Sequence, residues 1–179
     1  MSFIVLHRCK RMAAVLITVK YGKEGGAAVE VLDCILPLDP DASVRGCGFG
    51  GILILDTSID PDRAAETIAG SLSRLVSSAI PVDQLVRSDL SEIEKIAVSR
   101  VRIGSKIAVR CRRRGHVLPS PKEVERIVGS RLAGIGCVVD LENPDQIVRI
   151  EIIGEITAVS VRPPDRSVFK ARALQVNDV

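Results

Sequence analysis

The sequence predicts an α+β protein in two parts: a β-α-β-β-α-β unit over residues 1–88, then a second α/β domain over residues 89–179. Three observations carry that expectation. Strand-like runs alternate with capped helical stretches in both halves. Of the 179 residues, 46% are hydrophobic, mostly Val, Ile, Leu and Ala, enough to build two cores. The charge is also divided unevenly. Residues 1–99 hold ten Lys/Arg against thirteen Asp/Glu, residues 100–131 ten against two, and residues 132–179 five against seven. A net charge of +3 therefore conceals a segment of +8, the footprint expected of a polyanion partner.

In the first half, AAVLITVK (13–20) reads as a strand. EGGAAVEVLDCIL (24–36) reads as a weak helix with Ala28, Val31, Leu32 and Ile35 on one face. ASVRGC (42–47) is a short strand and ILILD (52–56) a buried one. Asp60 and Pro61 then supply an N-cap and a first helical residue, followed by the stripe Ala64, Ala65, Ile68, Leu72, Leu75 and Val76. VDQLVRS (82–88) is expected to close the unit as its fourth strand. That element order is the order of a ferredoxin-like sandwich.

Between the second and third strands, Gly46-Cys47-Gly48-Phe49-Gly50-Gly51 fits G-x-G-x-x-G. The dinucleotide fingerprint requires a helix N-terminus after the glycines. Here a strand follows, so the stretch is read as a hairpin and no cofactor is expected.

The second half opens with Asp89-Leu90-Ser91-Glu92, spaced as a capping box, and the helical stripe Ile93, Ile96, Ala97 and Val101. KIAVRCRRR (106–114) then alternates as a strand. Ile107, Val109 and Cys111 point one way and Lys106, Arg110, Arg112 and Arg114 the other. Ser120-Pro121-Lys122-Glu123 is a complete helix start, with a capping Ser, Pro at N1 and Glu at N3. The core stripe of this helix is Val124, Ile127, Val128 and Leu132; Lys122, Arg126 and Ser130 lie on another face with Gly129. Residues 137–141, 147–154 and 156–162 read as three strands, the last two a hairpin turning near Gly154 and Glu155. The tail, 164–179, is polar at its end and is expected to be loosely held.

Several function classes drop out. The apolar runs are too short and too interrupted by charge to span a bilayer, and Phe3 to Leu6 is too short for a signal peptide, so a cytoplasmic protein is expected. Residues 1–11 are read as an ordered extension or a ragged start. Cys9, Cys34, Cys47, Cys111 and Cys137 form no C-x-x-C pair, and His7 and His116 are the only histidines, so neither a disulfide framework nor a metal site is expected. Cys34, Cys111 and Cys137 sit at apolar-periodic positions and read as small buried residues. A nucleophilic Cys111 flanked by arginines would have a lowered pKa, yet no general base lies near it in sequence.

The basic stretch RCRRRGHVLPSPKEVERIVGSRL (110–132) is the remaining question. Unpaired cations on one side of a strand cannot be buried, so they form a solvated row. Only Glu123 and Glu125 are close enough in sequence to neutralise it. Most of the excess is Arg, whose planar fork suits phosphate oxygens, and the amides at the helix start near Ser120 would also face an anion. Lys106, Arg110, Arg112, Arg113, Arg114, Gly115, His116, Ser120, Lys122, Arg126 and Gly129 are the expected RNA-binding residues. With only Phe3, Tyr21, Phe49 and Phe169 as aromatics, stacking of bases on rings is a poor fit. RNA read through its phosphates and shape fits better.

This stretch, with VVDLENPDQIVRIEIIGEITAVSV (138–161) after it, resembles the THUMP domain, an RNA-binding module of tRNA-modifying proteins. The resemblance rests on Arg112-Arg113-Arg114-Gly115, the capped helix ending Ile127-Val128-Gly129, and the Val139 to Asp145 stretch before a strand hairpin. A ferredoxin-like domain in front is the usual family arrangement. RGCGFGGILILD and IPVDQLVRSDLSEI make the chain similar to the stand-alone adaptors used in tRNA cytidine acetylation, in which a separate acetyltransferase does the chemistry. The resemblance implies tRNA and a tRNA-modifying enzyme as partners and a grip on the acceptor stem and 3′ end; the residues themselves lead to no expected catalytic residue, metal or membrane. Two other expectations stand beside it: an RNA-binding subunit of a thiolation or methylation enzyme, and a ferredoxin-like regulatory protein that binds a small ligand.

Overall fold

The computed structural model describes residues 13–171; the possible extension over 1–11, with His7 and Cys9, and residues 172–179 of the expected tail lie outside the described residues. The first unit runs β1 (Ala13–Val19), α1 (Glu24–Ile35), β2 (Ser43–Gly46), β3 (Ile52–Thr57), α2 (Pro61–Gly70) and β4 (Val76–Val82). Its antiparallel strands lie in the order β4-β1-β3-β2, the ferredoxin-like arrangement. Val15, Ile17, Leu53 and Leu55 pack on Ala27, Val31 and Ile35 of α1 and Ala64, Ala65 and Ile68 of α2. Each Val, Leu or Ile side chain buried this way contributes about 1.5–3 kcal/mol. The buried stripe of α1 includes Ala27, with Ala28 only partly buried against it.

One expectation fails here. The helix read as continuing through Leu72, Leu75 and Val76 ends at Gly70, and the closing strand is 76–82, not 82–88. Ser73 caps the turn, accepting from the Val76 amide at 2.9 Å, and Glu30 of α1 accepts from the amides of Arg74 and Leu75. These bonds satisfy the backbone where the helix would otherwise continue.

The second unit contains β5 (Gln84–Arg87), α3 (Leu90–Arg100), β6 (Lys106–Arg114), α4 (Pro121–Ala133), β7 (Val138–Val139), β8 (Gln146–Ile153) and β9 (Ile156–Arg162). Strand order is β5-β9-β8-β6-β7, with β6 parallel to both neighbours and the other pairs antiparallel. The segment expected to close the first sheet, β5, therefore belongs to the second. β7 is shorter than the expected 137–141 because Asp140 turns the chain, accepting from the amides of Glu142 and Asn143. Asp89 and Ser120 cap α3 and α4 as their sequences predict, accepting from the amides of Glu92 and Glu123. Both helices cover one face of the sheet, where Ile93, Ala97, Val124, Val128 and Leu132 meet Ile107, Val109, Val148 and Ile150.

The start of the expected loose tail is held down. After a 3-10 turn at Pro164–Arg166, β10 (Phe169–Lys170) returns to the first sheet and pairs with Ala79 and Ser78 of β4. The helix-free faces of the two sheets also pack together. Ala14, Leu16, Ile52, Ile54, Ile80 and Val82 form one cluster with Ile153 and Ala158, flanked by Leu85 and Ile156. On the second sheet that contact involves β5, β9 and the end of β8. No helix among the described residues is long and apolar enough to cross a membrane.

Candidate nucleic-acid interface

β6 presents two different faces. Ile107, Val109 and Cys111 are buried beneath α3 and α4, while Arg110, Arg112 and Arg114 project from the opposite side. β8 runs parallel beside them with Arg110 opposite Arg149 and Arg112 opposite Glu151, so both β8 side chains share the arginine face.

The row is less uniform than its alternation suggests. Arg112 is exposed and makes no hydrogen bond or salt bridge to a described residue. Lys106 Nζ stands 3.1 Å from Asp140 Oδ2, and Arg110 Nη2 donates to the Leu141 carbonyl at 2.8 Å. Arg114 Nη1 lies 3.6 Å from Oε2 of Glu151, and Arg149 Nη1 lies 3.6 Å from its Oε1. The wholly solvated row is thus corrected: its partners come from β8 and the loop after β7, distant in sequence. Burial pushes the Glu151 carboxyl above the usual carboxylate range, against the pull of Arg149, Arg112 and Arg114. Burial also lowers the Arg149 guanidinium.

Arg113 faces the helix side. Its Nη1 donates to the carbonyls of Leu118 (2.6 Å) and Pro119 (2.9 Å), tying down the loop that leads to α4. Gly115 begins that loop at φ +86°, in the left-handed region, and His116 is exposed beyond it. Ser120 Oγ accepts from the Glu123 amide at 3.3 Å. The anion site expected at this helix start shrinks accordingly. Pro121 has no N–H, and the Glu123 and Val124 amides bond to Ser120, which leaves the Ser120 and Lys122 amides without a bond among the described residues. Lys122 and Arg126, one turn apart on α4, are exposed and unpaired among the described residues. Gly129 is buried: a Cβ there would meet Val109 and Val139 at 3.9 Å, so it seats α4 on the sheet.

Two acids have work that sequence spacing does not show. Glu125 Oε1 accepts from the Cys111 amide at 2.8 Å, on the edge of β6 that β7 leaves unpaired beyond Ile107. Glu151 lies under the arginines. A buried Glu in a strand otherwise reading QIVRIEII was the available signal. The lowered Cys111 pKa that flanking arginines suggest is also overturned. Burial, with Glu125 and Glu151, pushes the thiol up to about 12, so it is no nucleophile at neutral pH. The Gly46–Gly51 stretch is a hairpin between antiparallel β2 and β3, pinned where Glu24 Oε1 accepts from the Gly51 amide at 2.6 Å. Among the described residues no group of three or more His, Cys, Asp and Glu is placed to hold a metal ion.

Of the cations expected to bind RNA, those exposed and without an ion-pair partner among the described residues are therefore Arg112, on the helix-free face of β6, and Lys122 and Arg126, at the start of α4 on the other side of the sheet. A family model covers this same segment. Residues 88–162 match the model of the THUMP domain. THUMP is an RNA-binding module. No curated protein matches the chain. Among solved structures, PH1313 of Pyrococcus horikoshii OT3 is similar with a TM-score of 0.72 at 20% identity, covering 89% of this chain and 56% of that one. TrmN of Thermus thermophilus is similar with a TM-score of 0.59 at 22% identity, covering 84% and 46%. A 4-thiouridine synthetase solved with RNA and bound ATP is similar with a TM-score of 0.61 at 15% identity, covering 89% and 42%. At these identities the likeness is one of fold. The chain spans about half the length of these structures.

Proposed function

We propose that the protein is a tRNA-binding adaptor that grips the acceptor stem and 3′ end and presents tRNA to a separate modifying enzyme, for cytidine acetylation. The observation that carries the reading is three expected RNA-binding cations left without an ion-pair partner among the described residues: Arg112 on the helix-free sheet face, and Lys122 and Arg126 at the start of α4. Phosphates attract such cations without regard to sequence, and each one engaged releases counterions. A rigid strand and a capped helix hold them in place, which suits recognition of a folded RNA by shape. The acetyltransferase partner follows from the resemblance in the first unit and in the 110–161 stretch.

A second reading has its own support. The alignments leave about half of each similar structure unmatched, and those structures include TrmN and a thiouridine synthetase. The chain would then be the RNA-binding subunit of a methylation or thiolation enzyme. Nucleoside analysis of bulk tRNA after gene deletion separates the two. The adaptor reading expects acetylcytidine to vanish and thiouridine and methylated nucleosides to persist. RNA gripping itself is tested by filter binding of Arg112→Ala at low and moderate salt. Weaker binding to many tRNAs by similar factors, with a flatter salt dependence, is expected. Unchanged affinity at both salts would sink it.

A further inference from the structure

Glu151 lies among four guanidinium groups: Arg112 beside it and Arg110 and Arg114 one step to either side on β6, with Arg149 two residues back on β8. The residue is 1% exposed. Its Oε1, together with Arg149 Nε and Arg114 Nη1, is buried with no hydrogen-bond partner among the described residues. A buried carboxylate is tolerated only beside compensating cations, and closely spaced guanidinium groups on one face repel one another unless an anion lies between them. The carboxylate and the arginines therefore hold each other in place.

We infer that Glu151 is a positioning residue for RNA binding: it draws Arg114 and Arg149 down onto the sheet and leaves Arg112 directed outward, toward a phosphate. The inference rests on reading the arginine face as the RNA surface. It also runs against simple electrostatics, because a carboxylate under this face repels a polyanion. Positioning and repulsion predict opposite signs when the charge is removed.

The experiment measures tRNA binding at two salt concentrations, beside thermal melts, for the wild type, Glu151→Gln, Arg114→Ala and the double variant. Positioning predicts that Glu151→Gln weakens binding by about fivefold although the protein gains positive charge, and that most of this loss disappears in the Arg114→Ala background. Tighter binding, an equal loss in both backgrounds, or a lower melting temperature with unchanged binding each overturns the inference. Should Glu151→Gln fail to fold, Glu151→Asp keeps the charge and withdraws it by one methylene. Weaker binding is expected there too, and unchanged binding overturns it. Arg112→Ala in the same series separates the two levels. If it weakens binding while the Glu151 variants do not, this inference alone falls; if it has no effect, the RNA reading of the face falls with it.

Discussion

The ring of Phe49, from the first unit, lies over Gly154 at the β8–β9 turn of the second, so close that a Cβ on the glycine would stand 3.0 Å from Cε2. The same ring approaches Gly115, where a Cβ would stand 3.4 Å away. Gly154 also has φ +58°, in the left-handed region. Gly154→Ala should therefore destabilise the protein by roughly 1–3 kcal/mol through backbone strain and the displaced ring together. The melting temperature reads the effect, and an unchanged value would mean that the ring and the turn yield freely.

A second tie joins the units. Arg162 of β9 donates from Nε to Asp62 of α2 at 2.8 Å and from Nη1 to both oxygens of Asp83, at 2.7 and 2.9 Å. The three side chains are 16, 17 and 8% exposed. Removing the cation leaves the nearly buried Asp83 with only the Val161 amide and Asp62 with only the longer contact to Arg166 at 3.5 Å. Arg162→Met is expected to cost about 3 kcal/mol in denaturant unfolding, and Arg162→Lys to recover only part, since an ammonium cannot supply the fork. Full recovery by Lys would show that charge alone matters.

Both ties are long-range, and that marks the limit of what the sequence made legible. Caps at Asp60, Asp89 and Ser120, the two faces of β6 and the hairpin at Gly154 are local patterns, and each stands where it was read. The boundary after α2 departs from the pattern because Leu72, Leu75 and Val76 continue a helical period, whereas the bonds from the Arg74 and Leu75 amides to Glu30 join residues more than forty positions apart. Pro81 stands inside β4. It lies beyond the reach of β10, where β4 is an edge and a residue lacking an N–H is tolerated. At the site, the cations were visible as a run, but Asp140 and Glu151 reach them only through strand pairing. Sequence spacing therefore could not separate paired cations from free ones.

That separation makes a graded prediction. Lys106 is held by Asp140 and Arg110 by the Leu141 carbonyl, whereas Lys122 is unpaired among the described residues. If RNA phosphates are the ligand, Lys122→Ala should flatten the salt dependence of tRNA binding by about one phosphate and Lys106→Ala by distinctly less. Equal slopes for the two variants would mean that the Lys106 pair opens on binding.

Cys111 should be unreactive in the folded protein, since its buried thiol titrates only near 12. Thiol titration with an aromatic disulfide at neutral pH should leave Cys111 unmodified until denaturant is added, as peptide mapping would reveal. Prompt labelling of Cys111 would show that β6 opens beneath α4.

Acid stability offers a test in the first unit. Asp39 is 3% exposed, and its Oδ2 accepts from Thr57 Oγ1 and from the Ser58 amide, each at 2.6 Å. Those bonds, the Thr57 hydroxyl first, bring its carboxyl down from 3.8 to about 2. The folded pKa lies below the unfolded one, so the stabilisation is fully present above pH ~4 and is lost as the pH falls through 2. Glu24, Glu30 and Asp140 are lowered as well and add to the same acid limb, so the contribution of Asp39 must be read as a difference. Asp39→Asn should lower the melting temperature at neutral pH, and its deficit should shrink steadily between pH 4 and 2 as the wild type loses what the variant never had. A deficit that stays constant across that window would mean that the bonds to Thr57 and Ser58 do not depend on the charge of the carboxylate.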